Sequence, residues 1–376
     1  MNLKRIKAIT RKEFIQIIRD PRSLGMAIAF PMLLLTLFGY ALSLDVDNVP
    51  LVIWNQDKSQ VSQDYILNFK ASPYFKIVGY SDNYKELQSY VDKNKAFMIL
   101  VIPPDFSSLI NSKQSAPVQL LVDGSDSNTA TIAIGYVMAV TAGYNRKLAI
   151  DSLSHLGVRD ITPVDMRTRI WFNQDLKSRN FIIPGLIAII MMVIAALLTS
   201  LTVAREWERG TMEQLISTPI KPRELILGKF IPYFVIGFVD VLIAILMGEF
   251  IFQVPLRGSV VLLFILSSLF LTGTLTMGML ISIVAKKQLL ASQMAMVTTF
   301  LPAFLLSGFV YSIANMPTII QAITYIVPAR YFITILKGIY LKGVGLEILV
   351  IPVLFLSVFA FVVVNLATMA FKKKVT

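Results

Sequence analysis

Apolar runs long enough to cross a bilayer recur along this chain, and the interval after the first carries a different pattern, that of a globular domain. A span needs about 20 predominantly apolar residues. Six runs meet or approach that length, at Leu24 to Leu44, Phe181 to Ala204, Phe230 to Phe252, Ser259 to Ala285, Leu289 to Tyr311 and Leu346 to Phe371. Between the first and second, short β-rich runs alternate with helical stretches. Pro50 to Trp54, Tyr74 to Val78, Ala96 to Ile102 and Val118 to Val122 read as strands. Gln60 to Phe69, Tyr84 to Asp92, Pro104 to Ile110 and a long segment from about Ser127 to Leu156 read as helices. The expected fold is therefore an α-helical integral membrane protein with six transmembrane helices in a one-plus-five layout. A mixed α/β extracytoplasmic domain (45–179) sits between the first and second helices.

Two flanking segments complete the pattern. Residues 1–22 are basic with Leu3, Ile6, Phe14, Ile17 and Ile18 near helical spacing, which predicts an amphipathic interfacial helix ended by Asp20-Pro21. A signal peptide would have a shorter apolar region than 23–44, so that stretch reads as a retained span. Between 313 and 345 the sequence is too polar for one crossing. Asn315-Met316-Pro317 starts a helix and Val327-Pro328 breaks it, which predicts two short helices in the outer leaflet. Tyr325, Tyr331, Phe332 and Tyr340 suit that interface. No internal repeat divides the chain into matching halves, as many secondary transporters would require.

Composition agrees with the membrane reading: 55% of the 376 residues are hydrophobic and only 15% charged, where a soluble domain carries about 25% charged residues. Mean hydropathy is +0.68. The net charge of +12 adds orientation. Residues 45–179 hold 14 Lys/Arg and 14 Asp/Glu, so the whole excess lies elsewhere. It collects before the first span, between the second and third, at Lys286 and Lys287, and in the tail 372–376. With both termini cytoplasmic and six crossings, all of these clusters face the cytoplasm, the orientation that basic loops favour. Such charge fits anionic lipid; nucleic acid is not expected as a partner. There is no cysteine, and the only histidine is His155, which reads as a solvated surface residue. No metal site is expected from one imidazole without thiolates.

The segment 205–229 is the densest cluster of charge between spans. Charges at that density cannot lie in hydrocarbon. Its middle, Glu206 to Ser217, reads as a helix with Trp207, Met212, Leu215 and Ile216 on one side. It is either a solvated connector or a docking element for a soluble partner, and the apolar side favours docking.

Taken in order, several short motifs resemble the permease subunits of type-2 ABC transporters, the export class that includes bacterial multidrug permeases with a large extracytoplasmic domain. They are Lys12-Glu13-Phe14 with Arg19-Asp20-Pro21-Arg22, Arg179-Asn180-Phe181 with Pro184-Gly185, and Glu208-Arg209-Gly210-Thr211 with Glu213-Gln214-Leu215 and Thr218-Pro219. Ser307-Gly308-Phe309 with Asn315-Met316-Pro317, and Pro328-Ala329-Arg330-Tyr331, complete the set, so the likeness covers essentially the whole chain. One departure is Tyr311-Ser312-Ile313, where a proline would be expected after the aromatic residue.

The resemblance implies a multi-pass protein of the bacterial inner membrane that pairs with a second permease copy or a homologous permease. It also implies two docked ABC ATP-binding subunits, with a periplasmic adaptor as a further candidate partner. ATP and Mg would act through the partner ATPase, with no cofactor in this chain. The residues agree: no G-x-x-x-x-G-K-[ST] phosphate loop occurs, and Lys precedes Ser only at Lys58 and Lys177, without the glycines. Catalytic residues are therefore not expected. The resemblance assigns ATPase coupling to Glu206, Arg209, Gly210, Thr211, Glu213, Gln214, Leu215, Thr218 and Pro219.

Candidates for the translocation path are Asp240, Gln293, Thr298 and Thr299. Asp240, mid-span, either lines a polar route or bonds a neighbouring helix. For the three residues of the fifth span, packing between helices is the favoured role over lining a path. Thr272, Gly273, Thr274, Thr276 and Gly278 give the fourth span small surfaces suited to tight packing. The expected function is export of amphipathic or hydrophobic compounds by alternating access, with ATP hydrolysed elsewhere. The alternative is a membrane-anchored receptor or scaffold with a partner-binding extracytoplasmic domain. An ion-coupled carrier is disfavoured by the near absence of intramembrane acids beyond Asp240 and Glu249.

Overall fold

A computed structural model describes residues 1–42, 46–155, 172–173 and 177–371, with only the backbone of 22, 23, 127, 128 and 151–155. The chain divides into two compact units, one of residues 44–168 and one of 1–43 with 169–376.

In the smaller unit the alternation of strands and helices folds as expected. Strands β1 (Val49–Asn55), β2 (Phe75–Tyr80), β3 (Met98–Ile102) and β4 (Gln119–Val122) form one sheet in the order β2-β1-β3-β4. β1 runs parallel to β2 and β3, and β4 closes the edge antiparallel to β3. Leu51 and Ile53 pair with Met98 and Leu100 and point to one face. There they meet Tyr65, Ile66 and Phe69 of α4 (Gln60–Ala71), Phe106 of α6 (Phe106–Asn111), and Ala133, Val137 and Tyr144 of α7 (Ser127–His155). Val52, Ile99 and Val101 point the other way, onto Leu87 of α5 (Tyr84–Asp92). Both faces of the central strands are covered, which is why β3 reads as an unbroken apolar run. A loop after β1 is fixed by Asp57, whose Oδ1 accepts from Ser107 N at 3.3 Å and Ser107 Oγ at 2.7 Å. Burial pushes that carboxyl up, but the hydrogen bonds from Ser59 and Ser107 outweigh it and hold its pKa below the usual value.

The larger unit is helical. α1 (Leu3–Ile18) leads through α2 (Pro21–Leu24) and a π-helical stretch Gly25–Ala29 into α3 (Phe30–Ala41). There follow α8 (Ser178–Glu208), α9 (Thr211–Ser217), α10 (Pro222–Leu246, with a π-helical extension Met247–Ile251), α11 (Val260–Ala285), α12 (Gln288–Leu306) and α15 (Leu346–Ala370). Among the described residues five helices are long and apolar enough to cross a membrane: α8, α10 with its extension, α11, α12 and α15. The first expected span differs: its apolar helix, Gly25–Ala41, is shorter, about 25 Å against about 30 Å of hydrocarbon. The third begins earlier than its apolar run, because Pro222 opens a helix eight residues before Phe230 and Glu224 caps it.

α8 is the axis. It is apolar all round and buried nearly all round, against α3, α10, α11, α12 and α14 (Pro328–Lys337). Close packing needs small residues: a Cβ on Gly185 would fall 2.6 Å from Phe309 Cε2, so two of the motifs above are one contact. Gly273 and Gly278 likewise admit Phe359 and Ala196 against α11. α12 and α15 are peripheral and leave apolar faces exposed.

Between α12 and α15, α13 (Thr318–Thr324) and α14 with its π extension Gly338–Lys342 meet at 80°. Of the four aromatic residues expected at an interface, only Tyr325 is exposed. Tyr331, Phe332 and Tyr340 are buried instead, Phe332 stacked on Phe270 at 4.0 Å and Tyr331 on Phe355 at 4.9 Å. They are packing anchors, since α14 lies against α8 and α15.

Candidate coupling site

α1 is not simply a surface helix. It buries Ile6, Ile9, Glu13 and Ile17, one face at spacings of three and four, and leaves Leu3 and Ile18 exposed. That face lies on the start of α10, where Gly228 makes the approach possible: a Cβ there would stand 2.7 Å from Ile9. Glu13 is thus carried into protein interior, opposite Lys229 of α10.

Lys229 is 1% exposed, and a bare ammonium at that depth would cost several kcal/mol. Its Nζ stands 2.6 Å from Glu13 Oε1 and 3.3 Å from Glu206 Oε1 at the end of α8, and donates to the Thr202 carbonyl at 3.4 Å. Lys12 Nζ reaches the same Glu206 oxygen at 2.6 Å. The other Glu206 oxygen accepts from Thr211 Oγ1, at the first residue of α9. Two ammonium groups and two carboxylates therefore join α1, α8, α9 and α10 in one knot. Beside it, Arg205 pairs with Asp20 at 3.6 Å, and Ser282 of α11 accepts the Val203 and Ala204 N–H groups at 2.9 Å.

A second acidic tie fastens the chain's start. Glu224 accepts from Asn2 N at 2.7 Å and from Lys221 N at 3.1 Å, and lies 3.7 Å from Arg5. Glu208 does the same for α12, accepting from Gln288 N at 2.8 Å.

The continuous helix expected from Glu206 to Ser217 is broken. Gly210 has φ +68, a left-handed conformation that suits glycine, and turns the chain between α8 and α9. The break sorts the expected coupling residues into two sets. Glu206 is buried in the knot and cannot be offered to a partner; Thr211, Leu215 and Thr218 are half-buried. Arg209, Gly210, Glu213, Gln214 and Pro219 are exposed on the outer side of α9 and its flanks. Met212 is fully buried, and Trp207, Leu215 and Ile216 pack around it with Ile9, Leu225 and Met279. α9 thus shows solvent a polar face on an apolar seat.

The expected path residues do not come together. Asp240 is 8% exposed and lines a cavity among α3, α8, α10 and α11. Gln293 and Thr298 lie on the exposed face of α12, beside Leu289, Met296 and Val297. Thr299 is buried and donates to the Ala295 carbonyl at 2.7 Å.

Lys12, Glu13 and Lys229 were missed as functional residues, although Lys12-Glu13 belongs to a quoted motif. The available signal was an acidic residue on the buried stripe Ile6, Ile9, Ile17 and a lysine just before the apolar run of α10.

Comparison with known proteins agrees with this architecture. Residues 21–369 match the family model described as ABC-2 family transporter protein. The chain is 42% identical over 375 residues to a probable multidrug ABC transporter permease, YbhS, of Escherichia coli K12, covering 100% of this chain and 98% of that protein. It is 31% identical over 347 residues to a second such permease, YbhR, of the same organism, covering 92% of each. An inner membrane transport permease of that organism, YhhJ, is 27% identical over 303 residues, 80% of this chain and 78% of that one. A match that spans all five long helices, the α8–α9 turn and the sheet domain is decisive: the chain belongs to the ABC-2 family of transporter permeases, as a multi-pass membrane subunit.

Proposed function

We propose that this chain is the membrane-spanning subunit of an ATP-driven exporter, moving amphipathic or hydrophobic compounds out of the cytoplasm or inner leaflet by alternating access. The observation that carries the reading is α9: an exposed polar face on an apolar seat, fastened through Thr211 and Glu206 to three longer helices. A partner that moves α9 moves the knot, and with it α1, α8 and α10 together. The relatives' naming as multidrug permeases supports the substrate class. ATP and Mg act on two separate ATP-binding subunits docked at α9. Both termini and α9 lie in the cytoplasm of a six-span topology, with the sheet domain outside. A second permease copy covers the exposed face of α12, because the Gln293 amide would be costly against lipid.

The test of coupling is the double substitution Glu213→Ala with Gln214→Ala, which keeps helix propensity and leaves the knot intact. Insertion and dimerisation should match wild type, while export falls about tenfold, the loss of one good interfacial contact. Wild-type export with full recruitment of the ATPase would remove α9 from the coupling role.

Topology is checked separately. Cysteines at Ser59 or Ser112 should react in intact cells with a membrane-impermeant thiol reagent, while one at Ser217 stays unlabelled. The native chain has no cysteine, so the background is clean. Labelling of Ser217→Cys from outside would overturn the orientation.

A further inference from the structure

Beside the stripe that α1 buries runs a second one. Lys12, Ile15, Gln16 and Arg19, again at spacings of three and four, line a groove together with Arg205 and Arg209 at the end of α8. Asp20, Pro21 and Met26, where the chain turns into its first apolar helix, and Gln288, the first residue of α12, complete the lining. The groove offers about 720 Å³ of open space, against the about 30 Å³ that one water occupies.

Its lining carries four cations and one acid. Two of the four are matched, Lys12 by Glu206 at 2.6 Å and Arg205 by Asp20 at 3.6 Å. Arg19 and Arg209 are exposed, and among the described residues no hydrogen bond or ion pair engages either side chain. Water can satisfy an exposed guanidinium, so charge alone assigns no ligand. The apolar edge does. Ile15 and Met26, part of the same lining, are 41% and 43% exposed, and Ile18, next to Arg19, is 62% exposed. A soluble anion has no use for that edge, whereas a molecule with a charged head and hydrocarbon chains matches both halves.

We propose that this groove binds one anionic phospholipid of the leaflet on the α9 side, its phosphate held between Arg19 and Arg209. A guanidinium presents a planar fork of N–H donors that suits phosphate oxygens. The half-buried Gln16 amide serves the headgroup hydroxyls, and Ile15, Ile18 and Met26 lie along the start of the acyl chains. A zwitterionic lipid brings its own cation into a site that already has two in excess. Arg19 ends α1 and Arg209 ends α8, so the bound phosphate bridges two helix ends by a tie separate from Lys229. The inference does not depend on what the protein moves or in which direction.

The experiment is native mass spectrometry of the full chain, delipidated in detergent and titrated with phosphatidylglycerol or phosphatidylcholine of the same acyl chains. Wild type should take up one phosphatidylglycerol at least fivefold more tightly than phosphatidylcholine, the gain that about one cation at a lipid surface supplies. Arg19→Gln should weaken that first phosphatidylglycerol about fivefold, and adding Arg209→Gln should abolish the preference. Lys7→Gln removes the same charge from an exposed position of α1 outside the groove, and should stay within twofold of wild type. Equal binding of the two lipids by wild type overturns the inference. Equal loss in the Lys7 and Arg19 variants overturns it as well, since attraction would then be diffuse. Glycerol 3-phosphate at the same concentration should displace no lipid; displacement would make the groove a site for a soluble phosphate. An Arg19→Gln chain that keeps its lipid and no longer retains ATP-binding subunits would make the groove a protein-docking surface, and the lipid site falls.

Discussion

Replacing Lys229 with Met should destabilise the folded protein by about 3–5 kcal/mol, the cost of breaking a buried ion pair from one side. Met matches the length of the side chain, so packing is nearly kept and the loss is electrostatic. Glu13, 2.6 Å away and buried, is left without its cation, while Glu206 retains Lys12 and Thr211. Thermal unfolding of the solubilised protein measures the drop. Adding Glu13→Gln to Lys229→Met should recover a large part of it, because the stranded charge is gone. A single Lys229→Met protein that melts with wild type would show that the knot contributes no stability.

The second large effect is expected at Gly278, where α11 crosses α8. A Cβ there would stand 2.9 Å from Ala196 Cα, and closer still to the Ala196 carbonyl and Thr199 Oγ1. Thr199 cannot simply turn aside, since its hydroxyl donates to the Ala195 carbonyl at 2.8 Å. Backbone is the obstacle, so Gly278→Ala must push the two helices apart, at a cost of about 1–3 kcal/mol or more. The yield of monodisperse protein and its melting temperature should both fall. Gly25→Ala is the control: nothing lies within 4 Å of its added Cβ, so it should match or slightly exceed wild type. Equal stability of the two variants would contradict the packing described between α8 and α11.

Local physics made much of the fold legible. Tyr84–Asp92 has the helix bounds that its sequence predicts, and all four strands fall within two residues of their β-rich runs. These elements are set by neighbouring residues, by period and by caps such as Asn83 and Ser59. The break at Gly210 was harder, because the apolar spacing from Trp207 to Ile216 continues across it and a single glycine does not announce its φ. The aromatic residues of α14 misled for another reason: amphipathic side chains suit an interface and a helix crossing equally. The knot was least legible of all. Lys229 and Glu13 are 216 positions apart, and nothing local tells a buried partner from a solvated charge.

That knot also has an electrical consequence. Moving one elementary charge across a membrane potential exchanges about 2.3 kcal/mol per 100 mV. Lys12, Glu13, Glu206 and Lys229 together carry two positive and two negative groups, fastened at 2.6 to 3.3 Å. A rigid shift of the four helix ends they join therefore transports no net charge from this cluster. On the coupling role proposed for α9, a stroke passed through it would be insensitive to voltage at this joint, and a cell with a collapsed potential would lose none of it there.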